Sequence, residues 1–172
     1  LGSLVHDIDL EACRERGIIV SRQPVIGSIL VAEHLMMTAL ALIKHLNAIQ
    51  TAALRADHGL TAKRTDEDTF SYNWHGFQNI GGLFGKTIAI LGMGEIGVEF
   101  ARRIQPFQPK TIFYHKRTPY PQSVESDLGI RYGTPEDCYK NADILVNLLP
   151  YSAQTDYAIN KAAFELMPDG AL

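Results

Sequence analysis

The stretch Gly92-Met93-Gly94-Glu95-Ile96-Gly97 constrains the fold of this chain more than any other. The letters alone recur by chance, but their surroundings do not. An apolar, strand-like run, Lys86-Thr-Ile-Ala-Ile-Leu91, leads in, and a helix-patterned run, Val98-Glu-Phe-Ala-Arg-Arg-Ile104, leads out. A strand feeding a helix through three glycines at this spacing is the dinucleotide fingerprint of a doubly wound α/β sheet. Gly92 permits the tight turn, Gly94 lets backbone approach a pyrophosphate, and Gly97 lets helix and strand pack closely. The helix start then offers N–H groups and a positive dipole end to the phosphates. A glycine-rich turn with no ligand is the bland alternative.

The rhythm after residue 86 extends the argument. Thr111–Tyr114 reads as a second strand, Gly129–Tyr132 as a short third and Ala142–Val146 as a fourth. Helical turns are expected at Pro135–Lys140 and Asn160–Met167, with Gly170–Leu172 beginning another strand. Alternation of this kind predicts a Rossmann-type, doubly wound parallel sheet with helices on both faces. The chain stops as that last strand begins, so the expectation is a truncated sheet.

Upstream, Asp9 caps a short helix over residues 9–16 that Gly17 ends, and Ile18–Val20 reads as a strand closed by Pro24. Ser28 is expected to cap a long helix to about Ile49, apolar nearly all round and therefore wrapped by protein. Met36 and Met37 read as core filler, and His34 and His45 as hydrogen-bonded structural histidines. Residues 51–80 are polar with scattered aromatics (Phe70, Tyr72, Trp74, Phe77), as in a linker or covering loop. The domain reading is therefore 1–26 as the tail of a second, flavodoxin-like domain, 27–50 as an interdomain helix, 51–82 as linker, and 83–172 as an incomplete dinucleotide-binding domain.

A net charge of -3 over 172 residues gives no reason to expect nucleic acid. Glu33, His34 and Lys44 interrupt the most apolar stretch, which favours a buried helix over a membrane span. Cys13 and Cys138 have no CxxC or metal spacing and read as reduced thiols. No metal site is expected, no membrane or nucleic-acid partner, and a cytoplasmic location.

An acidic residue normally ends the second strand, about 20 positions past the fingerprint, and accepts the adenosine ribose hydroxyls. Here His115 stands there, followed by Lys116, Arg117 and Thr118, and no carboxylate appears until Glu125. A carboxylate would repel a ribose 2′-phosphate, whereas Arg117 and Lys116 can pair with it. The residues thus point to NADP, or to tolerance of both NADP and NAD. The alternative is that the two cations decorate an exposed strand end.

Four stretches together resemble the D-isomer-specific 2-hydroxyacid dehydrogenases. They are residues 8–20, Val31-Ala-Glu-His34, Leu83 through Gly97, and Ala142-Asp-Ile-Leu-Val-Asn-Leu-Leu-Pro150 with Thr155. His115-Lys-Arg-Thr118 is similar to the NADP-favouring glyoxylate and hydroxypyruvate reductase branch. The resemblance implies that Gly92, Gly94, Glu95, Ile96 and Gly97 serve the pyrophosphate, that His115, Lys116 and Arg117 meet the ribose, and that Leu149, Pro150 and Thr155 flank the nicotinamide half. It implies a substrate loop at Gly2-Ser3-Leu4-Val5, with Leu4 and Val5 at the substrate carboxylate. Leu4 stands where glycine is common, and His6 where Asp or Asn is frequent.

The resemblance further implies a small 2-keto or 2-hydroxy acid as substrate and a homodimer. It places the family's catalytic Arg, Glu and His beyond this chain, so no catalytic residue is assigned within it and the 172 residues alone are expected not to turn over. Two other readings stand beside the enzyme. One is a dinucleotide-sensing, corepressor-like binding module. The other is a methyltransferase, which the missing acid on the second strand disfavours.

Overall fold

In a computed structural model of the chain, residues 8–21, 26–55 and 76–172 are described. Their centre is a four-stranded, all-parallel sheet in the order β3-β2-β1-β4. The strands are β1 (Thr87–Leu91), β2 (Thr111–His115), β3 (Arg131–Tyr132) and β4 (Ile144–Asn147). Register is regular: Leu91 lies opposite His115 on one side and Asn147 on the other. All five residues of β1 are buried, as a central strand covered on both faces requires. This confirms the doubly wound α/β sheet expected from the sequence.

Seven α-helices accompany the sheet among the described residues: α1 (Leu10–Glu15), α2 (Ile26–Ile43), α3 (Leu46–Leu54), α4 (Glu95–Ile104), α5 (Gln122–Leu128), α6 (Pro135–Asn141) and α7 (Lys161–Leu166). On one face α4 turns Gly97, Phe100, Ala101 and Ile104 inward, an i, i+3, i+4, i+7 stripe. These meet Ile88 and Ile90 of β1 and the inner stripe of α2, Ala32, Met36, Ala39 and Ile43. On the opposite face Ala89 and Leu91 pack against Cys138 and Tyr139 of α6, Ala142 just after it, and Ala163 of α7. Glu99 fixes the outer side of α4 with ion pairs to Arg103 (2.6 Å) and Arg102 (2.8 Å).

Several local expectations are corrected. Ile18–Val20 is not a strand: among the described residues no strand pairs with it, and Ile19 is 92% exposed. β-branched residues without a ladder partner have nothing to satisfy their backbone as a strand. The long helix is two helices. His45 adopts a left-handed conformation (φ 52°) between α2 and α3, and its Nε2 lies 3.2 Å from the Asn79 carbonyl oxygen. Ser28 does not cap the helix but lies buried within α2. Nor is α2 wrapped on all sides, because Leu30, Met37 and Leu42 on its outer face are each more than half exposed. Met37 is therefore not core filler. His34 is exposed as well.

Downstream, α5 was not anticipated. Val124 and Leu128 face the core four residues apart, and Gly129 ends the helix in a left-handed conformation. Asn160 caps α7, its side chain accepting the Ala163 N–H, and Thr134 with Asp137 forms a capping box on α6. Gly170–Leu172 is not assigned as strand, yet Leu172 bonds with its backbone to Asp143 and Leu145 along the edge of β4. Phe70, Tyr72 and Trp74 lie outside the described residues.

Candidate dinucleotide site

A cleft of about 610 Å³ opens at the carboxyl ends of β1, β2 and β4. Its lining comes from three loops: Gly92, Met93 and Gly94 after β1; Lys116, Arg117 and Thr118 after β2; and Leu148, Leu149, Pro150, Ser152, Gln154 and Thr155 after β4. In an open parallel sheet, ligands bind outside the strand ends where the order reverses direction. Here β2 leaves β1 on one side and β4 on the other, and the cleft sits at that switch.

Each glycine of the fingerprint answers to a different constraint. Gly92 has φ +88°, and a Cβ there would lie 2.6 Å from the carbonyl carbon and oxygen of Leu148. Only glycine fits both the conformation and the space. Gly97 packs within the core, where a Cβ would come within 2.8 Å of the Met93 sulfur. Around Gly94 nothing lies within 4 Å of a built Cβ, so its bare backbone borders the open cleft. That is the cradle a ligand's phosphates need.

The turn's own amides are largely spent on holding its shape. The Gly92 and Met93 N–H groups donate to the His115 carbonyl at 3.0 and 3.2 Å, and Gly94 N–H donates to the Gly92 carbonyl at 2.9 Å. Gly94 caps the start of α4 with no side-chain hydrogen bond, and the positive end of the helix dipole lies there. The start of α4, which carries Glu95, Ile96 and Gly97, follows directly on the glycine bend. None of those three lines the cleft with Gly92 and Gly94.

The loop after β2 is fastened from below. Tyr114 is fully buried, its hydroxyl donating to Glu125 Oε1 (2.6 Å) and accepting the Tyr120 N–H (2.7 Å). Burial, reinforced by the carboxylate of Glu125, pushes the Tyr114 hydroxyl up to about 12. The Tyr120 hydroxyl donates to the Met93 carbonyl (3.1 Å), and the Lys116 ammonium lies 3.7 Å from the Tyr120 ring centre. Lys116 and Arg117 border the cleft. His115 does not: its Nδ1 lies 3.0 Å from the Gly133 carbonyl oxygen, its ring packs beside Tyr132, and it is absent from the lining.

On the third side, Thr155 holds its own loop together. Its hydroxyl donates to the Pro150 carbonyl (2.6 Å) and accepts the Ser152 N–H (2.8 Å). Thr155 is no helix cap; it ties Pro150 and Ser152 into the wall beside Leu149. Met93, Thr118, Leu148, Ser152 and Gln154 were missed as lining residues. Met93 could have been found as a spacer of the glycine motif, and Ser152 from its three-residue spacing to Thr155. Leu4 and Val5 lie outside the described residues. Among the described residues no cluster of His, Cys, Asp or Glu could hold a metal. Cys138 is buried, which pushes its thiol up to about 12 and leaves it unreactive.

Residues 36–172 match the NAD-binding domain of the D-isomer-specific 2-hydroxyacid dehydrogenases. The chain belongs to this family. Among curated relatives it is 30% identical to a glyoxylate reductase of Pyrococcus furiosus over 96% of this chain and 46% of the relative. It is 28% identical to a hydroxypyruvate reductase of Thermotoga maritima, covering 98% of this chain and 48% of the relative. Among solved structures, a Granulicella formate dehydrogenase superposes with a TM-score of 0.71 at 26% identity, over 95% of this chain and 40% of that one. The chain spans about half the length of the curated relatives it matches. Within this 2-hydroxyacid dehydrogenase domain, the cleft of Gly92, Arg117 and Pro150 is the candidate cofactor site.

Proposed function

We propose that this chain is the cofactor-binding part of an NADP-preferring oxidoreductase that reduces small 2-keto acids of the glyoxylate or hydroxypyruvate type. The observation that carries the reading is the meeting of three loops at one cleft, with a glycine whose Cβ would strike Leu148 on one side and two cations on another. The start of α4 would hold the pyrophosphate, Lys116 and Arg117 the ribose 2′-phosphate, and Leu149 and Pro150 would flank the nicotinamide. Bound there, the nicotinamide would supply the hydride. The chain's own part is to hold the dinucleotide and to close the cleft wall through the Thr155 hydrogen bonds. The carboxylate clamp and proton donor that such a reaction needs are assigned to no residue of this chain. Turnover of glyoxylate with NADPH by these 172 residues alone would contradict that division of labour.

The decisive comparison is NADPH against NADH affinity before and after Arg117→Asp. Removing a charge-assisted bidentate partner and adding a repelling carboxylate is expected to weaken NADPH about tenfold or more and to leave NADH nearly unchanged. An unchanged preference would defeat the 2′-phosphate assignment.

The outer face of α2 favours a homodimer as well. Ile26, Leu30 and Met37, spaced at helical intervals, are each more than half exposed, an apolar stripe that a second copy would cover. Sedimentation of the whole protein checks it; a monomer at micromolar concentration excludes it.

A further inference from the structure

We propose that Tyr120 is a positioning residue for cofactor choice, seating the Lys116 ammonium on its ring at the mouth of the cleft while its hydroxyl ties the cation loop to the glycine turn. The inference deepens the assignment of a 2′-phosphorylated dinucleotide to this cleft and rests on it. Three contacts carry it. The Lys116 Nζ stands 3.7 Å from the Tyr120 ring centre, within the reach of a cation–π contact. The Tyr120 hydroxyl donates to the Met93 carbonyl, which belongs to the fingerprint itself. The Tyr120 N–H donates to the buried Tyr114 hydroxyl, which is in turn bonded to Glu125 of α5.

The physical consequence follows from the flexibility of lysine. A free lysine side chain samples many rotamers, and ordering it against a phosphate consumes much of what the ion pair gains. Resting on an aromatic face, the Lys116 ammonium is ordered before ligand arrives, yet it keeps its charge and its donors. The ring therefore acts on affinity for the extra phosphate alone. The hydroxyl acts differently: it links two loops that both border the cleft, so its loss affects either dinucleotide alike.

Nicotinamide fluorescence titrations of NADPH and NADH on the whole protein separate these effects. Tyr120→Leu removes the ring and keeps the backbone N–H bond to Tyr114. It is expected to weaken NADPH about threefold to fivefold and NADH less than about twofold. Tyr120→Phe keeps the ring and is expected to retain the wild-type ratio of the two affinities, with any loss shared equally. In a Lys116→Met background, Tyr120→Leu should leave the ratio where Lys116→Met alone put it, since the two residues act as one unit. Equal weakening of both nucleotides by Tyr120→Leu, or full additivity with Lys116→Met, overturns the role of Tyr120 while leaving the 2′-phosphate assignment intact. If instead the wild type binds both nucleotides equally and neither Lys116→Met nor Arg117→Asp changes that, the assignment of the cleft falls and this inference with it.

Discussion

The glycine turn after β1 and the cation loop after β2 form two walls of one cleft, yet opposite means hold them in place. The turn is fixed by what cannot be there: a Cβ at Gly92 would strike the Leu148 carbonyl, and φ +88° excludes other residues. The loop is fixed by what is there, namely the Tyr114, Glu125 and Tyr120 hydrogen bonds and a lysine resting on a ring. Backbone exclusion is all-or-none, whereas a web of side-chain contacts can be weakened by steps. The wall proposed for the pyrophosphate should therefore be intolerant of change and the wall proposed for the ribose tunable.

The sharpest way to break this contrast is Gly92→Ala. A positive φ combined with a backbone clash is expected to cost about 3 kcal/mol or more of folding stability, read by urea denaturation. A loss below about 1 kcal/mol would show that the turn yields like the loop. Gly94→Ala makes the companion test, because its Cβ meets nothing within 4 Å. There the stability cost should stay below about 1 kcal/mol, while dinucleotide affinity falls about tenfold from lost backbone approach. Unchanged affinity would mean that the phosphates do not pass Gly94.

A smaller effect probes the loop. The Tyr114 hydroxyl titrates at about 12 in the folded chain against an ordinary value of 10.0, and the Cys138 thiol at about 12 against 9.0. Both acids are held neutral by folding, so their contribution is complete below their ordinary values and is lost as pH rises through the folded ones. Stability should therefore fall between pH 9 and 12. Tyr114→Phe should cost about 1 kcal/mol near neutrality and make the fall above pH 10 shallower than in the wild type. Parallel pH profiles would show that the hydroxyl is not what the folded state keeps protonated.

The same distinction explains what could be read from the letters alone. The sheet and its glycine bend were legible because Gly92 and Gly97 answer to constraints of conformation and close packing that only glycine meets, and Gly94 completes the spacing between them. The Asp9 cap was legible too, as caps act within three residues. The break at His45 was hidden because the residues around it are good helix formers. It is accompanied by a contact with Asn79, 34 positions away. The turn of His115 away from the cleft was hidden because its partner, the Gly133 carbonyl, lies across the strand gap. Helix α5 went unseen behind Pro119 and Pro121, although Val124, Leu128 and Gly129 spelled out its core face and its end. Exposure of the outer α2 face was equally unreadable, since hydropathy says what a face prefers and not what lies against it.

The carbonyl of His115 takes two amides of the neighbouring strand's turn, Gly92 and Met93. One oxygen atom thereby makes the two jaws of the cleft a single piece. A displacement of either strand tip would carry the other with it, so backbone movement there shifts both walls of the cleft together. Retargeting the nucleotide by exchanging loop residues alone would leave that joint intact. Exchanging the strand end with them would move the diphosphate too.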